Sequence, residues 1–300
     1  MTFLTAQAYI NQLSTAKRSQ VVAALVEGVS VRATCRMTDV AKGTVLKLLV
    51  DLGEACERYQ DETLRRLKCR RIQCDEMWQF VYAKAKNVPE RMAGTFGVGD
   101  VWTWIALDAD TKLVPSWAVG RRDGFTAQAF IADLADRLAT RVQLTSDGLK
   151  LYLEAVEDAF GSEVDYAMLV KMYEGDSGKH TPAERRYSPA TCTGATPQRI
   201  TGAPDAAHIS TSFVERQNLT VRMQLRRFTR LTNAFSKKLD NHKASLAIHF
   251  MHYNFARIHQ TLRVTPAMEA GVSDHVWEIE EIVGLLDWAA AQPQRAGDSN

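Results

Sequence analysis

The sequence predicts a mixed α/β protein, with an all-helical region over residues 1–55 followed by a five-stranded mixed sheet that is flanked by helices. The first observation behind this prediction is that apolar side chains recur at helical period over residues 17–53. The second is that runs rich in aromatic and β-branched residues begin at Arg71. The third is the order of three strands, helix, strand, helix and strand. This order combines antiparallel neighbours with parallel crossovers.

The N-terminal region has the pattern of a helix-turn-helix domain. Three helices are predicted, at residues 17–27, 31–35 and 40–52. Gly28 ends the first helix, and Ser30 is a suitable N-cap for the second. A short helix, a tight turn and a further helix form the helix-turn-helix layout, although a three-helix bundle without DNA contacts has the same pattern. The exposed face of the third helix would present the candidate DNA contacts Lys42, Thr44 and Lys47.

A charged connecting helix over residues 56–70 is expected to lead into the core, which spans residues 71–271. The predicted strands are residues 71–82, 101–107, 112–120, 141–148 and 166–170, and the predicted helices between them are residues 125–139 and 149–160. A hairpin loop is expected over residues 83–99, where Gly and Pro are frequent.

The segment over residues 171–211 is predicted to be an irregular insertion, because Gly, Pro, Ser and Thr dominate it. It either contacts phosphates through Lys179, Arg185, Arg186 and Arg199 or has no function of its own. Two further helices are predicted at residues 211–230 and 241–258. The acidic tail over residues 272–300 is expected to form a helix for packing or for oligomerisation.

The net charge of +2 conceals strong segregation along the chain. Residues 1–71 carry +5 and residues 171–271 carry +8, whereas residues 72–170 carry −6 and residues 272–300 carry −5. Two basic blocks beside an acidic one predict a polyanionic partner held near a cluster of carboxylates, although solvated surface charge gives the same totals.

Composition excludes several classes of protein. Hydrophobic residues make up 46% and charged residues 24%, which is sufficient for a packed core. The five cysteines lack Cys-x-x-Cys spacing, so the sequence shows neither a zinc signature nor a disulfide framework. No apolar run reaches membrane-spanning length, and no signal peptide is recognisable. We therefore expect a soluble protein of the cytoplasm, associated with the nucleoid and not with a membrane.

Three acidic residues are the candidate catalytic groups: Asp75 and Asp147, which are predicted to end neighbouring strands, and Glu215, which is predicted to open a helix. Carboxylates that converge repel one another and need a cation, and hard oxygen ligands favour Mg²⁺ or Mn²⁺. Two such ions can activate a water or a 3′-hydroxyl group for phosphodiester chemistry. An alternative for Glu215 is that it caps its own helix and pairs with a nearby arginine.

The motifs around these acids resemble those of bacterial insertion-sequence transposases with a DDE triad. They are Asp75-Glu-Met-Trp, Thr145-Ser-Asp147-Gly and Val214-Glu215-Arg-Gln-Asn-Leu. They are most similar to the short insertion-element group with Asp-Glu-x-Trp, Thr-Asp-Gly and Glu-Arg-x-Asn-Leu motifs. The run from Tyr253 through Thr265-Pro-Ala also resembles the end of integrase-type cores. Unlike some members, the chain has no N-terminal zinc module, and it has Ser146 before the second Asp.

The resemblance covers about residues 70–272 and implies an RNase H-like core, a Mg²⁺-dependent triad with Asp75 rather than Glu76 as its first ligand, and terminal inverted repeats and target DNA as double-stranded partners. It also implies a homo-oligomer. Basic side chains expected to position DNA strands are Arg222, Arg226, Arg227, Arg230 and Arg257, and a surface ion pair is the alternative for each. Two other functions fit the sequence: a non-catalytic helix-turn-helix regulator derived from a transposase, and a metal-dependent nuclease of the same fold.

Overall fold

A computed structural model describes residues 13–173, 192–229 and 232–292 of the 300-residue chain. The described chain divides into two compact units. The sheet unit contains Leu64–Gln79 and Val101–Asn218, and the helical unit contains the segment up to Thr63, Phe80–Asp100 and the segment from Leu219 onward. The candidate DNA contacts Arg230, Lys179, Arg185 and Arg186 lie outside the described residues.

Three helices begin the chain, as the apolar periodicity predicts: α1 (Thr15–Val26), α2 (Val31–Thr38) and α3 (Lys42–Thr63). The Ser30 hydroxyl caps α2 by accepting a hydrogen bond from the backbone N–H of Ala33 at 3.2 Å. Asp39 follows α2 in the left-handed conformation, with φ of 53°, and reverses the chain.

Helix α3 continues well beyond the predicted end at residue 52 and includes residues that were assigned to a separate connecting helix. Gly53 lies inside the helix and allows the close approach of another helix, α7 (Leu239–Met251). A Cβ atom placed on Gly53 would lie 2.4 Å from the Cβ of Ala244. The predicted domain boundary at residue 55 therefore falls inside a helix.

Six strands form one mixed sheet in the order β3-β2-β1-β4-β5-β6. They are β1 (Arg71–Val81), β2 (Gly99–Asp108), β3 (Ser116–Gly120), β4 (Val142–Asp147), β5 (Val164–Tyr173) and β6 (Cys192–Thr201). Strands β1, β4 and β5 are parallel, whereas β3 and β6 run antiparallel to their neighbours. The Ala109 N–H, just after β2, donates to the Arg71 carbonyl at 2.8 Å, as expected for antiparallel β1 and β2.

The prediction of five strands is wrong, because β6 lies inside the segment that was predicted to be irregular. Its sequence, Cys-Thr-Gly-Ala-Thr-Pro-Gln-Arg-Ile-Thr, has no alternation of apolar and polar residues, and nearly all of its side chains are exposed. Strand β6 is thus defined by its backbone ladder with β5 and not by burial, which explains why hydrophobic patterning misses it.

Helices cover the sheet. Helix α4 (Gly124–Arg137) and helix α5 (Leu151–Phe160) pack around the buried Trp104, whose ring lies 6.1 Å from Phe130 and 5.5 Å from Tyr152. Helix α6 (Ser212–Gln224) begins against β1. It is shorter than the predicted helix at residues 211–230, since a 3₁₀ turn at Arg226–Phe228 follows it.

The helical unit also contains 3₁₀ turns at Ala85–Asn87 and Glu90–Met92, within the predicted hairpin loop. Its later elements are α7, a π-helical turn at His252–Ala256, α8 (Pro266–Glu269) and α9 (Ile279–Ala291). Tyr59 of α3 contacts Trp277 and Trp288, with ring centroids 5.1 Å and 5.5 Å away. The acidic tail therefore forms a helix that packs within its own unit, which is one of the two roles expected for it. None of the helices in the described segments has the length and hydropathy needed to cross a membrane.

Candidate active site

The parallel pairing of β1 with β4 brings two of the predicted acids together. Cys74 pairs with Ser146, so the next residues along the two strands, Asp75 and Asp147, are neighbours. Asp147 is the last residue of β4, as expected. Asp75, in contrast, lies within β1, which continues to Val81. The site therefore forms where β4 stops and leaves one edge of β1 open, not where both strands end.

Glu76 joins these two aspartates. One carboxylate oxygen from each of Asp75, Glu76 and Asp147 lies within 4.8 Å of the other two. Strand alternation points Glu76 and Asp75 to opposite faces of the sheet. The group nevertheless forms, with the Glu76 carboxylate bonded to Arg122 and Tyr152. Among the described residues, these three acids form a group that could hold a metal ion.

Glu76 is held in place by two side chains, Arg122 of the turn after β3 and Tyr152 of α5. The Arg122 guanidinium donates two hydrogen bonds to Glu76 Oε1, from Nε at 2.9 Å and from Nη2 at 2.6 Å. The Tyr152 hydroxyl donates to Oε2 at 3.3 Å. Arg122 is itself ordered by Trp102, because its guanidinium carbon lies 4.7 Å from the centre of that ring.

Asp75 is held in place by a side chain of helix α6. Asn218 donates a hydrogen bond from Nδ2 to Asp75 Oδ2 at 2.7 Å. The buried Gln73 of β1 fixes the start of the same helix, since its Oε1 accepts the N–H groups of Phe213 and Val214 at 2.9 and 3.1 Å. These bonds satisfy two of the free N–H groups of the first helical turn. Gln73 and Asn218 thus fix α6 against the strand that carries Asp75.

Glu215 lies near the acidic group but outside it. Its Oε1 accepts hydrogen bonds from the Lys171 ammonium, near the end of β5, and from the Thr211 hydroxyl. Glu215 therefore does interact with the residue that precedes its own helix, as in the capping alternative. It also has a cationic partner, which is Lys171 of β5.

The electrostatics of the acidic group favour a bound cation. Burial, together with the charges of Asp147 and Glu76, raises the pKa of Asp75 to about 7. Burial and Asp147 also raise the pKa of Glu76 to about 7, despite the opposing effect of Arg122. Burial raises the pKa of Asp147 as well. Near neutral pH the protein alone therefore does not fully compensate three negative charges at this position.

Lys171 supplies a further positive charge beside the group. Burial lowers the pKa of Lys171, but the hydrogen bond to Glu215 and the nearby negative charges together raise it by more, so that the pKa lies above its ordinary value. The charge of Lys171 also opposes the rise in the pKa of Asp147. An ammonium group thus partly offsets the carboxylates, at a position that touches Glu215.

The donor set fits a hard divalent cation. All three clustered side chains offer carboxylate oxygens, which are the ligands that Mg²⁺ and Mn²⁺ prefer. A fourth oxygen is close by, because Oδ1 of Asn218 is buried and has no hydrogen-bond partner within the described segments. The ion itself is not identified by this arrangement.

The predicted DNA contacts lie on several elements. Lys42, Thr44 and Lys47 are exposed on α3, and Lys47 forms an ion pair of 2.5 Å with Asp51. Exposed Arg226 and Arg257 follow α6 and the π-helical turn, respectively. Arg222 is half-buried on α6. Arg227 donates from Nη1 to the Ser236 hydroxyl at 3.0 Å, and burial lowers its pKa to about 10.

Four residues of the site were not predicted from the sequence: Glu76, Arg122, Lys171 and Asn218. Asn218 carries a recognisable signal, since it follows Glu215 by three positions and therefore shares its helix face. Glu76 is adjacent to Asp75, but the motif resemblance assigns Asp75, and not Glu76, as the first metal ligand. Arg122 and Lys171 have no local signal, because only the sheet brings them to the acids.

Comparisons with known proteins give structural likeness only. No protein-family model and no curated protein matches the sequence. The chain is similar to a piggyBac transposase synaptic complex with hairpin DNA, with a TM-score of 0.38 and 8% identity over 93% of this chain and 73% of that chain. It is also similar to the Mos1 strand transfer complex, with a TM-score of 0.24 and 14% identity over 79% of this chain and 77% of that chain. A Mos1 transposase paired-end complex with the left transposon end gives a TM-score of 0.21 and 12% identity over 49% of this chain and 57% of that chain. Overlaps of this extent assign no function, which has to be argued from the residues of the site.

Proposed function

We propose that this chain is a DNA transposase that cleaves phosphodiester bonds at terminal inverted repeats and transfers the resulting 3′-hydroxyl ends to target DNA. The observation that carries the proposal is the acidic group, in which carboxylate oxygens of Asp75, Glu76 and Asp147 lie within 4.8 Å of one another. Three like charges this close are costly unless a cation joins them. The antiparallel β2–β3 pair followed by the parallel β1, β4 and β5 supports the RNase H-like core that the motifs imply.

In this proposal Asp75 and Asp147 hold Mg²⁺ or Mn²⁺, and Glu215 is the third member of the triad. Bound divalent ions would activate the attacking water or 3′-hydroxyl group and stabilise the leaving oxygen. The protein's own contribution is orientation. Asn218 fixes one oxygen of Asp75, and the Leu149 N–H donates to Asp147 Oδ1 at 3.0 Å. Lys171 holds Glu215 beside the acidic group, where Glu215 would be available as a further carboxylate ligand.

The N-terminal helices would supply sequence-specific DNA binding. Helices α2 and α3, joined by a turn at Asp39, have the helix-turn-helix layout, with Lys42, Thr44 and Lys47 exposed on α3. The arginines after α6 would contact phosphates, so affinity would fall as salt concentration rises. A protein acting on genomic DNA in this way would work in the cytoplasm, at the nucleoid.

The test is a cleavage and joining assay with labelled DNA fragments that carry the ends of the element encoding the chain. Unaltered protein and Asp147→Ala are compared with Mg²⁺, with Mn²⁺ and with EDTA. We expect nicking and joining that require the metal and that are lost in the variant. Specific binding without cleavage under any metal would favour a helix-turn-helix regulator, and cleavage without joining would favour a nuclease.

The two candidate glutamates can be separated by matched amide variants. Glu215→Gln and Glu76→Gln each remove one charge with almost no change of shape. If Glu215 completes the triad, Glu215→Gln abolishes cleavage, whereas Glu76→Gln retains a measurable rate. The reverse order would assign the third position to Glu76 and leave Glu215 as a structural partner of Lys171.

A further inference from the structure

One surface of the helical unit combines basic and aromatic side chains from two segments that are distant in sequence. The Tyr82 N–H donates to the Ser236 carbonyl at 2.8 Å, and the rings of Phe80 and Phe235 lie 4.7 Å apart. These contacts join the segments of residues 80–98 and 232–239, which together we call the basic–aromatic surface. None of its residues belongs to the acidic group or to the predicted DNA contacts.

Two lysines of this surface are positioned by aromatic rings. The Lys237 ammonium lies 3.7 Å from the centre of the Phe235 ring, and the Lys84 ammonium lies 5.9 Å from the centre of the Phe80 ring. Because the two rings contact each other, they hold the two ammonium groups in a fixed relation. Such cation–π contacts restrict a lysine without neutralising its charge, so less side-chain entropy is lost when it binds an anion.

The surface is strongly basic. Residues 80–98 contain three Lys/Arg and one Asp/Glu, and residues 232–239 contain two Lys/Arg and no Asp/Glu. Lys86, Arg91, Lys237 and Lys238 are exposed, and within the described segments none of them forms an ion pair with a carboxylate. Solvent-exposed charge of one sign is the arrangement that binds a polyanion.

An exposed aromatic side chain accompanies these charges. Phe96 is 69% exposed, although a phenyl ring in water is unfavourable. The next residue, Gly97, is held against α7, since a Cβ atom there would lie 2.8 Å from Leu239 Cβ. Gly97 also has a φ of 74°, which favours glycine. The backbone that carries Phe96 is thus anchored while its ring faces solvent.

We propose that the basic–aromatic surface binds a DNA strand that contains an unpaired base. Lys84, Lys237 and Lys238 would contact its phosphates, and Phe96 would stack on the base. Stacking platforms flanked by cations are the usual means of binding single-stranded nucleic acid, whereas an acidic protein partner would not require an exposed ring. This inference rests on the proposed function, because that function makes DNA the partner of the chain. It concerns a different part of the chain from the acidic group.

The test measures binding of the full chain in EDTA, where no metal-dependent cleavage occurs, by fluorescence anisotropy. The probes are a labelled blunt duplex and the same duplex with a short 3′ overhang, each titrated at several salt concentrations. We expect the double variant K237Q/K238Q to reduce the slope of log Kd against log salt by about 1 to 2. We expect Phe96→Ala to reduce the preference for the overhang about tenfold, with little effect on blunt DNA.

The matched control is R66Q/K68Q, which removes the same charge from two exposed residues of the sheet unit. Equal weakening by the control would show that only net charge matters and would overturn the inference. An unchanged salt slope in K237Q/K238Q, or an unchanged overhang preference in Phe96→Ala, would also overturn it. Circular dichroism spectra that match the unaltered chain establish that the variants are folded.

Cleavage assays on the same variants separate this inference from the proposed function. If the surface variants cleave DNA in a metal-dependent way and bind it as the unaltered chain does, the DNA-binding role of the basic–aromatic surface is wrong, but the transposase proposal is not contradicted. If binding depends on the basic–aromatic surface but the chain cleaves DNA under no condition, the transposase proposal is contradicted and the DNA-binding role of the surface is supported.

Discussion

Ionised Asp75 lowers the stability of the metal-free fold, but the same carboxylate is expected to bind the metal ion. Its raised pKa means that ionised Asp75 destabilises the metal-free fold at neutral and alkaline pH. We predict that Asp75→Asn raises the free energy of unfolding of the metal-free protein at pH 8 by about 2 kcal/mol, because it removes one of three crowded charges. The same variant should lose the stabilisation that Mg²⁺ gives the unaltered protein, since one ligand is gone.

Thermal unfolding with Mg²⁺ and with EDTA measures both effects. Asp136→Asn is the control, because the Asp136 side chain is 83% exposed and forms one ion pair of 3.4 Å with Arg65. Its effect should stay below about 0.5 kcal/mol. A destabilised Asp75→Asn that is still stabilised by Mg²⁺ would contradict the crowding of charges at this site.

The raised pKa values of Asp75 and Glu76 also predict that metal binding releases protons. Both carboxyl groups have pKa values of about 7, so at pH 6 both are largely protonated in the metal-free protein. A cation binds the ionised forms and must displace these protons. The apparent affinity for Mg²⁺ should therefore rise as pH increases from 6 to 8.

Isothermal titration calorimetry in two buffers of different ionisation enthalpy measures the number of protons released. We expect one to two protons per chain at pH 6 and almost none at pH 8.5. A heat of binding that is identical in the two buffers at pH 6 would mean that the acidic group is already ionised there.

Helix α3 packs against α7 closely enough that one glycine is required. A Cβ atom on Gly53 would lie 2.4 Å from Ala244 Cβ, which is too close for two carbon atoms. We predict that Gly53→Ala lowers the free energy of unfolding by about 1–3 kcal/mol, because the helices must separate. This loss would occur even though alanine favours a helix over glycine by about 1 kcal/mol.

Gly43→Ala, in the same helix, is the control for Gly53. No atom of the described segments lies within 4 Å of a Cβ atom placed on Gly43. Here the helix propensity of alanine acts alone and should raise the free energy of unfolding by up to about 1 kcal/mol. Denaturant unfolding measures both variants, and a change of the same sign in the two would contradict the close approach at Gly53.

Helix α7 also contains two buried histidines that make the fold sensitive to acid. Burial lowers the pKa of His242 to about 3, and the pKa of His249 falls to about 3 for the same reason. In the unfolded chain a histidine gains its proton near pH 6.5. The unfolded state therefore binds more protons between pH 6.5 and pH 3, and stability falls as pH decreases through this range.

His242 allows this effect to be measured. Its ring stacks on Phe228 with centroids 4.9 Å apart, and neither ring nitrogen has a hydrogen-bond partner in the described part of the chain. We predict that His242→Phe abolishes about 2 kcal/mol of the stability lost between pH 7 and pH 5. Unfolding in urea at the two pH values measures this difference, and equal acid sensitivity in variant and unaltered chain would refute it.

At the scale of the whole molecule, the function proposed above predicts assembly on DNA. We expect two or more copies of the chain to bind a pair of terminal-repeat fragments. Light scattering after size-exclusion chromatography, with and without these fragments, gives the mass of the complex. A mass of one chain per fragment at all concentrations would contradict the assembly.

Much of this architecture follows from local sequence. Ser30 caps α2, and the apolar period defines α1 to α3. The alternation of strand and helix from Arg71 to Val170 defines the order of β1 to β5. These features depend on residues that are close together in the chain, so they are visible without a structure. Asp75 and Asp147 could be assigned to neighbouring strands on the same basis, although strand register, and not two strand ends, places them side by side.

Only the tertiary structure determined the rest, since it depends on partners that are remote in the chain. Strand β6 has no hydrophobic pattern and exists through its ladder with β5. Gly53 lies inside α3, where the absence of a side chain allows α7 to pack closely. Glu76 joins the acidic group because Arg122, 46 positions away, holds it there, and Glu215 of α6 is bound by Lys171 of β5. The sequence by itself therefore determined which side chains could bind a metal ion or act in catalysis, whereas tertiary packing determined which of them lie close together.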